Sequence, residues 1–328
     1  MSATLLTRDA RALVEHMRGR KILVVGDLMI DEWIWGTVSR ISPEAPVPVV
    51  AVTDHSFTLG GAGNVANNLV SLGAKVEFVG TVGEDAFAAD VRRMLREETV
   101  DDRGVFSVGD RPTTRKTRIV AHNQQVVRAD WEDPAPLSAS DRARVVAHVR
   151  ERAAAADAVI LSDYAKGLLN VEVVDAARAC PLVLADPKPQ NLKLFSGVTC
   201  VAPNAAEAAA ASGIAIVGDA SLERAGAYLL GELRCRYVVI TRGEHGMSLF
   251  GAEGERLTIP SVARKVFDVS GAGDTVIAVL SLALAGGAGI ESAMQLANFA
   301  AGAVVEKLGT ATASGDEILA LIEHGHAS

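Results

Sequence analysis

Aromatic residues are scarce in this chain: phenylalanine, tryptophan and tyrosine make up 4% of its 328 residues. Cysteine is scarcer still. Cys180, Cys200 and Cys235 are widely spaced and lie in or beside apolar stretches. An odd, scattered count argues against a disulfide framework and fits a reducing compartment. No basic patch stands out, and the net charge is −8 with a pI near 5.4. Nucleic acid and anionic membrane surfaces are therefore poor partners. No apolar run reaches the roughly 20 residues of a membrane span, because the longest, Ala272–Ala288, is broken by Asp274 and several glycines. Met1–Arg20 is charged and amphipathic, without the apolar core of a signal peptide. A cytoplasmic protein is the expectation. No Gly-Lys dipeptide occurs, so a Walker A phosphate loop is excluded. The seven histidines show no metal-ligand spacing.

What is abundant is aliphatic residue: hydrophobic content is 49%, enough for one large α/β domain over 1–328 with a deep core. Lys21–Val25 reads as a first buried parallel strand, ending at Gly26-Asp27. Ala62–Leu72 reads as a helix, Lys75–Val79 as a strand and Ala86–Glu98 as an amphipathic helix. From Ser138 onward helical and strand-like segments alternate, and three helices close the chain. Repeating βα units predict a central, mostly parallel sheet flanked by helices on both faces. Two segments do not fit that sheet. Val47–Val52, hemmed by Pro43, Pro46 and Pro48, reads as an edge strand. Thr113–His122 and Gln125–Ala129 alternate polar and apolar residues, as in a hairpin turning at His122-Asn123-Gln124. Together these segments, about 36–54 and 110–130, predict a small β-lid over the C-terminal strand edge, where open α/β sheets bind ligands.

The chemistry concentrates in Asp268-Val269-Ser270-Gly271-Ala272-Gly273-Asp274-Thr275, which opens an apolar run. Gly271, Ala272 and Gly273 at a helix start would leave backbone N–H groups facing outward, at the positive end of the helix dipole. Asp274 would compete with any anion held there. The conflict resolves if Asp274 takes a proton from an attacking hydroxyl while the amides hold a transferred phosphoryl group. The plainer reading is a Gly-rich turn with an acid favoured by the dipole. A second segment, Gly60-Gly61-Ala62-Gly63-Asn64-Val65-Ala66, leads to Gly73 and Gly83. Its Gly61-x-Gly63-x-x-Ala66 matches a loose dinucleotide fingerprint. Phe57-Thr58-Leu59 is a poor preceding strand, however, and no acid follows at the required distance, so a nicotinamide enzyme is disfavoured.

Taken together, the two glycine-rich segments resemble the paired signatures of the ribokinase-like (PfkB) sugar kinases. The resemblance spans nearly the whole chain. Gly26-Asp27-Leu28-Met29-Ile30-Asp31, Asp186-Pro187-Lys188 and Asn204-Ala205-Ala206-Glu207 fall where such kinases have functional loops. Ser39–Pro46, Ser162-Asp163-Tyr164-Ala165-Lys166-Gly167 and Asp186-Pro187-Lys188 narrow it to the branch acting on heptose 7-phosphate. That implies transfer of the ATP γ-phosphoryl group, with Mg²⁺, to O1 of D-glycero-D-manno-heptose 7-phosphate, in lipopolysaccharide core precursor synthesis. Another sugar kinase of this fold, or a non-catalytic sugar or nucleotide sensor, remains the alternative. Some members carry a second, nucleotidyltransferase domain. Here the sequence stops at Ser328, so a separate partner enzyme is expected to continue the pathway.

The resemblance also implies roles. Asp274 is the base, with Gly271, Ala272 and Gly273 as anion-hole donors. Asp31, Gly61 and Asn64 would contact the sugar; a loop acid, a turn glycine and an Asn cap are the bland counterparts. Lys188, Arg128 and Lys166 would converge on the distal sugar phosphate, against the alternative of solvated surface charges. Asn204 and Glu207 form a capping box in sequence and would also serve the nucleotide phosphates, with Glu207 reaching Mg²⁺ through water. Thr241, Gly243 and Gly246 match the nucleotide loop, and Asn298 borders the adenine. A homodimer through the exposed edges of the lid is expected.

Overall fold

In a computed structural model the chain is described over residues 7–122, 124–263, 265–307 and 309–325. Asn123, expected at the hairpin tip, lies outside the described residues. The chain opens with helix α1 (Thr7–Met17) and strand β1 (Lys21–Gly26). Two long strands follow, β2 (Leu28–Ile41) and β3 (Pro48–Gly61), then α2 (Ala62–Ser71), β4 (Lys75–Val82), α3 (Ala86–Glu97) and β5 (Asp101–Ser107). The hairpin is β6 (Arg115–Ala121) and β7 (Gln124–Trp131). Next come α4 (Ala139–Ala153), β8 (Ala158–Ser162), α5 (Val171–Ala177), β9 (Val183–Asp186), β10 (Cys200–Val201), α6 (Ala205–Ser212) and α7 (Asp219–Leu233). Strands β11 (Tyr237–Thr241), β12 (Met247–Gly251) and β13 (Arg256–Ile259) precede the closing helices α8 (Ala272–Ala285), α9 (Ile290–Val305) and α10 (Gly315–Gly325).

Among the described residues the strands form two sheets. The large one runs β13-β12-β11-β10-β9-β8-β1-β4-β5, parallel from β11 to β5 and antiparallel at β12 and β13. Alternation along each strand feeds two cores. Ile22, Val24, Ile160 and Phe78 face the side of α2, α8 and α9, while Leu23, Val25 and Leu161 face the side of α4, α5 and α7. This is the central, mostly parallel sheet flanked by helices that the sequence predicts. The strand order reverses at β1, which lies between β8 and β4. Cys180, Cys200 and Cys235 are free thiols buried in these cores.

The smaller sheet runs β3-β2-β6-β7, and its composition differs from the sequence reading. Residues 28–41 were not expected as a strand, yet β2 pairs antiparallel with β3 and parallel with β6. The expected edge strand Val47–Val52 is only the start of β3, which continues to Gly61. Phe57-Thr58-Leu59 therefore does form a strand before α2, contrary to the sequence reading. The dinucleotide reading fails for another reason: β3 belongs to the small sheet, so β3-α2-β4 is no parallel βαβ unit. Polar residues at Asp54, His55 and Ser56 hid β3 because most of it is solvated. Strand β5 was also missed, since Asp101-Asp102-Arg103-Gly104 has little strand propensity and pairs at a sheet edge.

Candidate active site

The site lies at the C-terminal ends of the parallel strands. Helix α8 opens there at Gly271, which adopts a left-handed φ of +79°. A β-carbon at 271 would come within 2.5 Å of Asn64 Nδ2, so only glycine fits. Asp274, in the first turn of α8, is 7% exposed. Tyr164 Oη donates to its Oδ1 at 2.7 Å, and Asn64 Nδ2 donates to its Oδ2 at 2.8 Å. Burial pushes the Asp274 carboxyl above the usual carboxylate range. The two hydrogen bonds and nearby Lys188 oppose that shift, while Asp31 adds to it. The amide of Ala272 turns back to Val269 O at 3.3 Å. Gly271 and Gly273, by contrast, line the cavity at the helix start.

That cavity has a volume of about 140 Å³. Tyr164, Asp186, Lys188, Asn204, Glu207 and Thr241 line it beside Asp274. Asn204 caps α6 and Glu207 closes the capping box, accepting from Asn204 N at 2.9 Å. The other Glu207 oxygen accepts from Lys188 Nζ at 2.5 Å. The Lys188 ammonium lies 5.2 Å from the centre of the Tyr164 ring. Burial would lower the Lys188 pKa, but Glu207 and Asp186 outweigh it and raise the value, so the lysine stays charged. Asp186 is raised well above the carboxylate range by burial and by Asp274. Lys188 thus stands with the acids around Glu207. The sequence reading had grouped it with Arg128 and Lys166.

A larger pocket of about 580 Å³ adjoins this cavity, within the usual range for a small-molecule site. Thr241, Gly243, Gly246, Gly273 and Asn298 line it, with aliphatic walls such as Val266 and Val276. The Asn298 amide donates to Pro260 O at 2.7 Å.

Asp31 lies on β2, inside the small sheet, which excludes the helix-cap or loop-acid reading of that residue. Its carboxylate pairs with Arg118 at 2.5 Å, and the Arg118 guanidinium stacks 4.9 Å over Trp33. A β-carbon at Gly60 would land on the Asp31 carboxylate, so glycine there leaves room for the acid. Gly61, with φ +57°, turns the chain into α2. Register places Arg128 opposite Arg118, hence on the same face as Asp31. Arg128 binds Asp130 at 2.8 Å, and Lys116 binds Asp130 at 3.1 Å and Glu132 at 3.5 Å. Lys166 binds Glu132 at 2.7 Å. Lys116, Arg118, Arg128 and Lys166 therefore form one cationic field around Asp31, Asp130 and Glu132. Four cations against three acids leave +1, in a chain of net −8. Arg118 and Lys116 were not singled out from the sequence. Their strand partner β2 was unread, and without it their side of the sheet could not be assigned.

Asp27, directly after β1, stands in the opening loop 26–31 that the sequence marks as functional, but the sequence assigns it no role of its own. It is 4% exposed, and its carboxylate accepts from the amides of Tyr164, Lys166 and Leu168. Burial raises its pKa to about 6 from 3.8, against those hydrogen bonds. The folded state thus holds this proton more tightly than the unfolded state. The resulting stabilisation is complete below about pH 3.8 and is lost as pH rises through about 6. A shift of about two units corresponds to roughly 3 kcal/mol. Asp27→Asn cannot titrate, so its stability relative to the parent protein should rise by about that amount between pH 4 and pH 7. Denaturant melts at both pH values measure this, and a constant difference would refute it.

The fold and this polar edge define a carbohydrate kinase. The chain belongs to the pfkB family of carbohydrate kinases, whose model matches residues 20–317. It is 46% identical over 325 residues to the "Bifunctional protein HldE" of Geobacter metallireducens, covering 97% of this chain. It is 44% identical over 310 residues to the protein of that name from Wolinella succinogenes. The chain spans 66% and 65% of the length of these curated relatives. Arabidopsis thaliana ribokinase, solved with ribose and ATP, superposes with a TM-score of 0.76 at 22% identity, covering 93% of this chain and 99% of that one. Escherichia coli phosphofructokinase-2, solved with potassium, gives 0.78 at 19%, with the same coverage. Both show the shared fold. Among the described residues no helix is long and apolar enough to cross a membrane.

Proposed function

We propose that this chain transfers the γ-phosphoryl group of ATP to O1 of D-glycero-D-manno-heptose 7-phosphate, giving the 1,7-bisphosphate. The observation that carries the phosphosugar reading is the cationic field around Asp31, on the same face as that acid. An acidic chain repels a doubly charged phosphate unless local cations offset that field. Asp31 and the open Oδ1 of Asn64 accept hydrogen bonds from sugar hydroxyls. Arg128, Lys166 and their neighbours take the distal phosphate. Asp274 removes the O1 proton as O1 attacks the γ-phosphorus, and the bond to the β-phosphate oxygen breaks to release ADP. Gly271 and Gly273 offer amides to the transferring group, and Lys188 neutralises its charge. ATP occupies the larger pocket, with Thr241, Gly243 and Gly246 at the phosphates and Asn298 beside the adenine.

The oxygen-rich donor set of Asp186 and Glu207 suits Mg²⁺. Both Glu207 oxygens already accept protein hydrogen bonds, so Glu207 would hold the ion through water. An ion held by these residues would supply charge neutralisation to the transferring phosphoryl group. The heptose reading draws on the segments 39–46, 162–167 and 186–188. A panel of sugar phosphates and free sugars with ADP release as readout tests it. Heptose 7-phosphate should lead the panel by kcat/KM. Preference for an unphosphorylated sugar would overturn the cationic-field argument, and binding of both ligands without ADP release would indicate a sensor.

The proposal includes a homodimer through the small sheet. Trp35, Val52, Val127 and Trp131 are exposed on that sheet, whose outer strands β3 and β7 have no further strand partner among the described residues. Val127→Lys should shift the sedimenting species toward monomer, whereas an unchanged mass would place any interface elsewhere.

A further inference from the structure

We infer that Tyr164 is a positioning residue for Asp274, and that with Asn64 it holds the carboxylate aimed at the acceptor hydroxyl. The inference rests on the kinase reading of the site. Two donors reach Asp274 from separate elements. Tyr164 Oη comes from the loop after β8 at 2.7 Å, and Asn64 Nδ2 comes from α2 at 2.8 Å. Each donor takes one carboxylate oxygen, which fixes the plane of the group. One acceptor direction per oxygen remains for the incoming proton.

The loop that carries Tyr164 is held independently of any ligand. Its own amide and that of Lys166 donate to Asp27 at 2.9 and 3.0 Å. Ala165 adopts a left-handed φ of +55°, and its amide binds Asp163 Oδ1 at 2.8 Å. A strained residue pinned on both sides is the mark of a preorganised loop. Tyr164 is itself a donor rather than a base, because burial and the Asp274 charge hold its phenol well above the ordinary range.

Asn64 adds a link to the sugar side. Its Oδ1 is buried and has no hydrogen-bond partner among the described residues. An acceptor left open beside the base fits a sugar hydroxyl, so sugar occupancy would brace the same amide that braces Asp274.

The charged groups facing Asp274 come from several elements. Lys188, after β9, favours its ionised form, whereas Asp31 on β2 and Asp186 at the end of β9 oppose it. Against burial and these acids, the Tyr164 hydroxyl is the first of three groups that favour the ionised base, ahead of Asn64 and Lys188. Tyr164→Phe keeps the ring and removes only the donor. The acid limb of kcat/KM should then move to higher pH by about one unit or more. Carboxyl ¹³C titration of Asp274, assigned against Asp274→Asn and read without substrates, should shift the same way. A merely structural role would lower the rate equally at every pH and leave the carboxyl titration in place, and that result would overturn the inference. If the unaltered protein phosphorylates no sugar, the kinase reading falls, while the carboxyl titration still judges Tyr164.

Discussion

Asp274→Asn is expected to lower kcat by ~10²–10⁴-fold, the usual cost of losing a general base. The substitution preserves the surroundings unusually well. The new amide oxygen can still accept from Tyr164, and Asn64 can turn its own side chain to meet the new NH₂ group. Binding of ATP and phosphosugar, read by calorimetry, should therefore change little. The unaltered enzyme should also show an acid limb in kcat/KM above the ordinary carboxylate range near pH 4. The sign follows from the cause: burial raises the Asp274 pKa, so the working, ionised base is lost as pH falls through that raised value. Near-normal kcat in the variant would remove Asp274 from the chemistry.

The same residue shows how much the sequence could disclose. Gly271-Ala272-Gly273-Asp274 and Asn64 are separated by about two hundred residues, and each signature was readable alone. Their direct contact was not, since a hydrogen bond across 210 positions depends on how α2 packs on α8. The parallel sheet was legible because its strands are short aliphatic runs divided by helices, such as Ala158–Ser162 between α4 and α5. The small sheet was only half legible. β2 begins buried at Leu28–Glu32 and ends solvated, so no single periodicity runs through it. Missing β2 meant missing the register that places Arg118 on Asp31. Charge pairs of that kind are fixed by strand alignment, which composition does not encode.

Lys188→Ala is the second substitution with a large expected effect, and the structure changes what it should do. The sequence places this lysine in a loop after a parallel strand, where it reads as a clamp for the distal phosphate. The folded chain sets its ammonium against Glu207 and over the Tyr164 ring, in the cavity that also holds Gly271, Gly273 and Asp274. A cation there faces the transferring phosphoryl group. Removing a charge that acts mainly in the transition state lowers kcat and kcat/KM together. The loss should be ~10²–10³-fold, as for a deleted oxyanion donor. KM for the phosphosugar should stay within a few-fold. Arg128→Ala provides the contrast. Its guanidinium belongs to the field around Asp31, so KM for the phosphosugar should rise roughly tenfold, near the worth of one charge-assisted hydrogen bond, with kcat nearly preserved. The two variants thus separate transfer from distal recognition. If Lys188→Ala instead raises the phosphosugar KM and spares kcat, the lysine serves the distal phosphate after all, and its ion pair with Glu207 must open when that substrate binds.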